Sequence, residues 1–241
     1  MGEQLKTIFE RIAAVNAWGG VDSISGPGSS LVQTQAIRKE IPRILKRYSF
    51  HTMLDAPCGD LFWMKEILPV LINGGVHYTG SDIVENIIEK NKEKFKNEYV
   101  DFKCLDLSRD KISKYDLILT RDCFIHLSYH NIYLILSNYK KSGSKYLLVN
   151  TYTKKERINI DVNEYFMPGR VLNMRKFPFY FPTPLQLINE DCTEGNENEY
   201  SDKSLGLWEL KKINLIYLQS YLVFGKYFRY IKRQIKLVIK F

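Results

Sequence analysis

Three acidic residues, Asp55, Asp82 and Asp106, follow three successive stretches that predict strands and lie about 25 residues apart. An acid at the end of a strand can accept hydrogen bonds from both hydroxyls of a ribose. The loop after the first stretch holds one glycine, Gly59, between the acids Asp55 and Asp60. Because carboxylates repel a pyrophosphate, this loop argues against a polyphosphate and favours a ligand with hydroxyls and an ammonium group.

Simpler interpretations of the same residues stay open. Residues 50–60 could form an ordinary strand-to-helix turn in which Asp60 caps the helix, and Asp106 could be a helix cap as well. Arg121 and Asp122 could form an internal ion pair. A nicotinamide dinucleotide site is disfavoured, because the chain lacks the G-x-G-x-x-G that holds the pyrophosphate.

Alternating strands and helices must position these acids. Short apolar runs predict strands that end at Asp55, Asp82, Asp106, Asp122 and Asn150, and helices are expected at 61–71, 84–95 and 129–141. Such alternation implies parallel βαβ units, hence an α/β fold with a doubly wound sheet that binds ligands at the carboxyl ends of its strands. Two more runs, 184–189 and 204–210, predict a final hairpin and a total of seven strands.

Three segments flank or interrupt this predicted domain, residues 49–210. Residues 1–48 predict two helices around a loop of small residues, 25–30, and Pro42 should kink or split the second helix. Residues 152–183 are an irregular insertion rich in arginine and aromatic residues, and long loops at a binding edge are usually functional. Residues 211–241 predict a basic amphipathic helix.

Four stretches resemble, in order and spacing, the motifs of class I S-adenosylmethionine-dependent methyltransferases, whose sheet is Rossmann-like. They are 54–60, 80–83, 104–107 and 116–127, within a similarity that covers about residues 50–152. Pro57 and Cys58 depart from the usual glycine-rich first motif. A narrower resemblance, to small bacterial methyltransferases of capsule and surface-polysaccharide gene clusters, rests on Trp-Gly, Ser-Gly-Pro-Gly-Ser, Asp-Ala-Pro-Cys-Gly-Asp and Arg-Asp-Cys-x-x-His-Leu strings.

The resemblance implies that S-adenosyl-L-methionine is the cofactor. Asp55 and the backbone after it would hold the methionine part, Asp82 the ribose hydroxyls and Asp106 the adenine amino group. Arg121 and Asp122 would lie beside the sulfonium, and the N-terminal loop would close over the carboxylate end. The cofactor-binding residues implied are Trp18, Gly26, Ser29, Asp55, Ala56, Pro57, Gly59, Asp82, Ile83, Asp106, Leu107 and Arg121.

Methyl transfer to oxygen needs in-line placement and a base for the hydroxyl proton. His126, four residues after Asp122, is the candidate base, and these two are the predicted catalytic residues. An acceptor that is already ionised would need no base, and arginines of the insertion could clamp it. The predicted acceptor-binding residues are Tyr152, Arg157, Arg170 and Asn173.

The predicted function is therefore O-methylation of a sugar or small polar acceptor, phosphorylated and nucleotide-linked acceptors included, in surface-polysaccharide synthesis. The alternatives are an RNA or protein methyltransferase and a non-catalytic subunit that binds the cofactor. The fifth strand ends Asn-Thr-Tyr rather than the Asn-Pro-Pro-Tyr of amino-DNA methyltransferases, which disfavours base methylation.

The net charge of +8 lies in the C-terminal tail. No acid follows Glu209, eight basic residues do, and the remaining 27 basic residues balance the 27 acids. Helical spacing over 226–241 favours contact with an anionic membrane or docking on the domain, whereas the neutral body disfavours nucleic acid. No apolar run approaches the length of a spanning helix, no signal peptide is recognisable, and the cysteines show no metal or disulfide spacing, so a cytoplasmic protein without a metal is expected.

Overall fold

The computed structural model describes residues 2–162, 169–197 and 199–225. Seven strands and six helices alternate over most of this range. The strands are β1 (Thr52–Asp55), β2 (His77–Asp82), β3 (Val100–Cys104), β4 (Leu117–Thr120), β5 (Tyr146–Tyr152), β6 (Gln186–Asn189) and β7 (Lys203–Glu209). The helices are α1 (Gly2–Ala14), α2 (Gln35–Arg47), α3 (Leu68–Asn73), α4 (Glu85–Phe95), α5 (Tyr129–Lys141) and α6, described over 216–225.

The strands form one sheet in the order β3-β2-β1-β4-β5-β7-β6. β1 to β5 are parallel, and β7 runs antiparallel between β5 and β6. The predicted doubly wound sheet of seven strands with a terminal hairpin is therefore confirmed. Since β1 to β4 share one direction, their acidic carboxyl ends lie along one edge of the sheet.

The sheet buries both faces, as expected for parallel strands covered by helices. In β4, Leu117 and Leu119 pack into one hydrophobic cluster, and Ile118 between them packs into the other. The first cluster includes the buried face of α2, and the second includes that of α5. Because side chains alternate between the two faces of a sheet, neighbouring residues of one strand pack against different helices.

The structure differs from the sequence prediction at two helices. The helix expected from residue 61 is replaced by a short 3-10 turn at Met64–Glu66, and α3 begins only at Leu68. Leu61 has a left-handed backbone (φ 61°), and Pro69 in the first turn marks where a helix can start. A kink or a split of the second helix was expected at Pro42, and the split does not occur, because α2 is one element through that residue.

The structure limits what can be said of the basic tail. A 3-10 turn occupies Leu210–Lys212, so the helix expected from residue 211 begins later, at residue 216. Residues 226–241 lie outside the described residues. Within the described part of the chain, no helix is long and apolar enough to cross a membrane.

Candidate functional site

One cavity opens at the carboxyl edge, above the ends of β1 to β4. The strands supply its acidic floor, and α1 with the loop after it supplies an opposite wall through residues such as Phe9, Ile24 and Ser25. The structure brings twelve predicted site residues to this cavity: Trp18, Ser29, Asp55, Pro57, Gly59, Asp82, Ile83, Asp106, Leu107, Arg121, Asp122 and His126. Ala56 and Gly26 adjoin it in sequence without lining it.

Asp55 is a buried carboxylate, 3% exposed, at the end of β1. The Tyr78 hydroxyl donates to its Oδ2 at 2.8 Å. Burial raises the pKa of Asp55 to about 7, and this effect outweighs the opposing effects of the Tyr78 hydrogen bond and the Arg121 charge. A positively charged partner would stabilise the ionised form of this buried carboxyl group, so the position suits the ammonium group of a ligand.

Asp82 lies beside the loop that follows β1. Its carboxylate accepts hydrogen bonds from the backbone N–H groups of Gly59 (3.2 Å) and Val84 (3.0 Å), and burial nevertheless raises its pKa to about 6. Gly59 has φ 54°, and a Cβ there would lie 2.2 Å from Ser25 Oγ. The glycine is therefore required both by the turn and by the close approach of the N-terminal loop.

Asp106 closes the turn after β3. Its Oδ1 accepts from the backbone N–H (2.9 Å) and hydroxyl (2.6 Å) of Ser108. No helix follows in the described segment between β3 and β4, so Asp106 caps a turn and not the helix that the sequence left open. Asp106 and Leu107 both line the cavity. The two hydrogen bonds from Ser108 therefore hold the Asp106 carboxylate at the rim of the cavity.

A buried cluster of charged side chains lies just beyond the end of β4. Arg121 donates to Glu190 through Nε (3.1 Å) and Nη2 (2.8 Å), and Lys203 donates to Asp122 at 2.8 Å. Arg121 also lies 3.2 Å from Asp122 and donates to the Gly28 carbonyl at 2.8 Å. The internal ion pair that the sequence allowed is therefore present, as part of a larger network.

Asp122 is held ionised by this network. Burial would raise its pKa, but the charges of Arg121 and Lys203 outweigh burial and lower the pKa to about 2. Its Oδ1 is buried and has no hydrogen-bond partner among the described residues. A carboxylate with so low a pKa is a poor proton acceptor, so its chemistry is electrostatic.

His126 occupies a 3-10 turn, Phe124–His126, directly after β4. Its ring packs 5.6 Å from the ring of Trp18, and a Cβ on Gly169 would lie 3.1 Å from its Cε1. It is 8% exposed and close enough to Asp122 for the two charges to interact. The imidazole is thus fixed between the N-terminal loop and the insertion, at the cavity wall.

No family model and no curated protein sequence matches the chain. Solved structures do. The methyltransferase domain of a bacterial CtHen1 aligns with a TM-score of 0.52 at 15% identity and covers 73% of this chain and 98% of that one. The chain has a methyltransferase fold.

Two larger proteins show the same likeness. The CMeT domain of the citrinin polyketide synthase has a TM-score of 0.53 at 16% identity, over 74% of this chain and 53% of that one. Human N-acetylserotonin methyltransferase, in complex with SAM, has a TM-score of 0.51 at 15% identity, over 70% and 50%. The chain thus spans about half of these two proteins, and identities this low establish the fold alone.

Within this methyltransferase fold, the four predicted acceptor-binding residues lie outside the cavity. Arg157 donates to Asp202 at 3.1 Å and lies over the buried ring of Tyr152 at 5.6 Å. Arg170 donates to the backbone carbonyl oxygens of Ile125 (3.0 Å) and Leu127. Asn173 Oδ1 accepts from the backbone N–H of residue 175 at 3.0 Å. Each of the four has a partner elsewhere in the structure, and none of them lines the cavity that holds Asp55, Asp82 and Asp106.

Sequence reasoning missed the partners that organise the site. Glu190 follows β6 and Lys203 begins β7, and the Glu190 N–H donates to the Lys203 carbonyl at 3.0 Å. The expected hairpin could have indicated both residues, because the end of its first strand and the start of its second strand had to lie at the binding edge beside Arg121. Asp60 also has a role that the sequence did not indicate. Besides the Phe62 N–H, it accepts from the Ser23 hydroxyl (2.8 Å) and the Ile24 N–H (3.0 Å), which fastens the N-terminal loop over the cavity.

No group of three or more His, Cys, Asp or Glu side chains that could hold a metal ion is found in the described ranges.

Proposed function

We propose that the chain is an S-adenosylmethionine-dependent methyltransferase. One observation carries the proposal: Asp55, Asp82 and Asp106, each at the end of a different parallel strand, line a single cavity. Their order along the sheet, from β1 outward to β3, matches the order of ammonium, ribose and adenine in an extended cofactor. A polyphosphate would meet carboxylates at every one of these positions.

The residues present fit this cofactor. Burial raises the pKa of Asp55 to about 7, because the Tyr78 hydrogen bond and the Arg121 charge only partly offset it. An ammonium group would supply the missing positive charge. Asp82 would accept from the ribose hydroxyls, and the positive φ of Gly59 lets the backbone approach. Ile83, Leu105 and Leu107 would supply an apolar wall for the adenine.

When bound, the cofactor supplies a methyl group on an electrophilic sulfonium. His126 would take the proton of the acceptor hydroxyl, since its imidazole is fixed at the cavity wall and histidine is the side chain that most often acts as a general base. Asp122, held ionised by Arg121 and Lys203, would stabilise the resulting imidazolium. Trp18 packs against the imidazole and keeps its ring in place.

We further propose that the acceptor is an uncharged hydroxyl compound, a sugar or a related small polar molecule. Arg121 is the one Lys or Arg side chain lining the cavity in the described part of the chain, and Glu190 and Asp122 already neutralise it. Five carboxylates line the same cavity, so a phosphorylated acceptor or RNA has little support. Trp18, Phe62 and Trp63 offer aromatic faces that suit sugar rings. A place in surface-polysaccharide synthesis is supported by the sequence resemblance only.

Calorimetric titration with S-adenosylmethionine tests the proposal. We expect micromolar binding by the wild-type chain and at least about a tenfold loss for Asp82→Ala, because the ribose hydroxyls lose their acceptor. Asp101→Ala is the matched control, since Asp101 lies on β3 outside the cavity and pairs with Lys96 at 3.1 Å. A folded wild-type chain that binds no cofactor would contradict the proposal.

Transfer to acceptors is tested separately with cofactor labelled at the methyl group. Neutral sugars and nucleotide-free glycosides should be labelled in preference to their phosphate esters. Cofactor binding without transfer to any hydroxyl acceptor, RNA or protein would favour the non-catalytic subunit that the sequence left as an alternative.

A further inference from the structure

Exposed aromatic residues gather where the insertion meets α6. The ring centroids of Tyr180 and Tyr217 lie 5.0 Å apart, and Phe177 lies 6.1 Å from Tyr180 and 5.7 Å from Tyr221. Phe177 and Tyr217 are 52% and 53% exposed. We call the exposed apolar residues of these two segments the aromatic patch: Phe177, Tyr180, Ile216, Tyr217, Val223 and Phe224.

The backbone of the insertion sorts its aromatic residues into two sets. Phe179 and Phe181 are buried at 1% and 3% exposure, whereas Tyr180 between them is 48% exposed. Tyr180 has φ 45°, a left-handed conformation that is rare for a bulky side chain. Because a tight turn at residues 176–180 turns this ring away from the core at a conformational cost, its exposure points to a function.

The α6 helix presents its apolar residues outward in the same way. Leu218 is fully buried, and Tyr221 packs on Tyr129 with ring centroids 5.4 Å apart, which fixes the helix to the domain. Val223 and Phe224 remain 60% and 58% exposed. Helices of globular proteins normally expose polar residues on this side, so an apolar outer side requires another partner.

The sequence segments that form and follow the aromatic patch carry a net positive charge. Residues 169–189 and 210–225 contain no acid and five basic residues, and residues 226–241 add six more basic residues and again no acid. Arg175, Lys211 and Lys212 are exposed, and Glu209 pairs with the two lysines at 3.1 and 2.7 Å. An aromatic surface on segments of net positive charge is complementary to an anionic lipid surface, where the rings reach the headgroup level and the cations pair with phosphates.

We propose that the aromatic patch docks on an anionic membrane surface. Gly169, within the insertion, packs on His126, so the docked surface would lie on the side of the cavity where the acceptor is expected. The proposal does not depend on the proposed function, because lipid binding needs no cofactor. Neutral lipids alone would hold the patch weakly, since the cations would have no counter-charge.

Co-sedimentation of the full chain with vesicles tests the docking. Vesicles of phosphatidylcholine containing phosphatidylglycerol should bind the wild-type protein, and vesicles of phosphatidylcholine alone should bind it much less. The double substitution Tyr217→Ser with Phe224→Ser should weaken binding by about tenfold, because the apolar insertion is lost. The matched control is Val32→Ser with Val70→Ser, two residues 73% and 55% exposed outside the patch, which should bind as the wild type does.

Circular dichroism and thermal unfolding establish that each variant is folded before binding is compared. Anionic vesicle binding that survives the patch substitutions would overturn the proposal, because the charged tail would then account for it alone. Absence of binding to anionic vesicles would overturn it as well. So would light scattering that shows a dimer dissociated by the patch substitutions, since the partner of the patch would then be a second copy of the chain.

Discussion

Asp55→Asn should stabilise the ligand-free protein at neutral pH while it impairs ligand binding. In the folded chain burial raises the pKa of Asp55 to about 7 from 3.8, so the folded state keeps a proton that the unfolded state has lost. Stability therefore falls as pH rises between these two values. Asparagine has a similar shape, can still accept the hydrogen bond from Tyr78, and never ionises.

The magnitude follows from the size of the shift. A difference of about 3 pKa units corresponds to about 4 kcal/mol of unfolding free energy once the folded carboxyl is ionised, near pH 8. Wild type and Asp55→Asn should thus be equally stable near pH 4, and the variant should gain progressively above it.

Urea denaturation from pH 4.5 to 8 measures this difference directly. Asp101→Asn serves as the control. Burial opposes a low pKa at Asp101, but Lys96 outweighs burial and lowers the pKa. The effect of Asp101→Asn on the free energy of unfolding should therefore change with pH in the opposite direction. Calorimetry should show that Asp55→Asn binds S-adenosylmethionine at least about tenfold more weakly. Parallel stability profiles for Asp55→Asn and the wild type would refute the assignment of Asp55 as a strained, buried carboxylate.

Four further predictions concern the site. Cofactor affinity, measured by calorimetry, should fall at least about tenfold from pH 8 to 5.5, because Asp55 and Asp82 take up protons as pH drops through about 7 and 6; a flat profile would exclude both carboxylates from binding. Gly59→Ala should cost about 1 kcal/mol and also weaken cofactor binding, whereas Gly75→Ala, with φ 74° and nothing within 4 Å of its Cβ, should cost similar stability and leave binding intact. Glu190→Gln should destabilise by about 3 kcal/mol in urea denaturation, because Arg121 stays buried with less counter-charge. Glu209→Gln should have little effect, because Glu209 pairs with the exposed lysines Lys211 and Lys212; equal effects of the two substitutions would refute the network. His126→Asn should lower kcat by about 10²–10⁴ with an unchanged cofactor Kd, and a retained kcat would show that no base is needed at that position.

Local patterns were sufficient to predict the sheet. The strands that end at Asp55 and Asp82 were predictable because each is a short stretch followed by a turn and then a helix, as parallel βαβ units require. The helix 129–141 was predicted with the bounds that the structure gives. These features depend on residues that are neighbours in the chain.

Pairings between distant residues could not be predicted in the same way. Glu190 lies 69 residues from Arg121, and no local pattern shows that these two charges are buried together. The arginines of the insertion looked available for an anion, yet Arg170 caps backbone carbonyls and Arg157 pairs with Asp202. A sequence gives the charge of such residues, and only the fold decides whether that charge is already used.

The fastening of the N-terminal loop by Asp60 has a consequence for how the chain can be divided. Trp18, Ile24 and Ser25 form one wall of the cavity, although the sheet that holds the acids begins only at residue 52. A fragment trimmed to the sheet and its helices, residues 49–210, would keep the acidic floor and lose that wall. A fragment that keeps the site, whether it is moved to another protein or arises by deletion, must therefore include the first thirty residues.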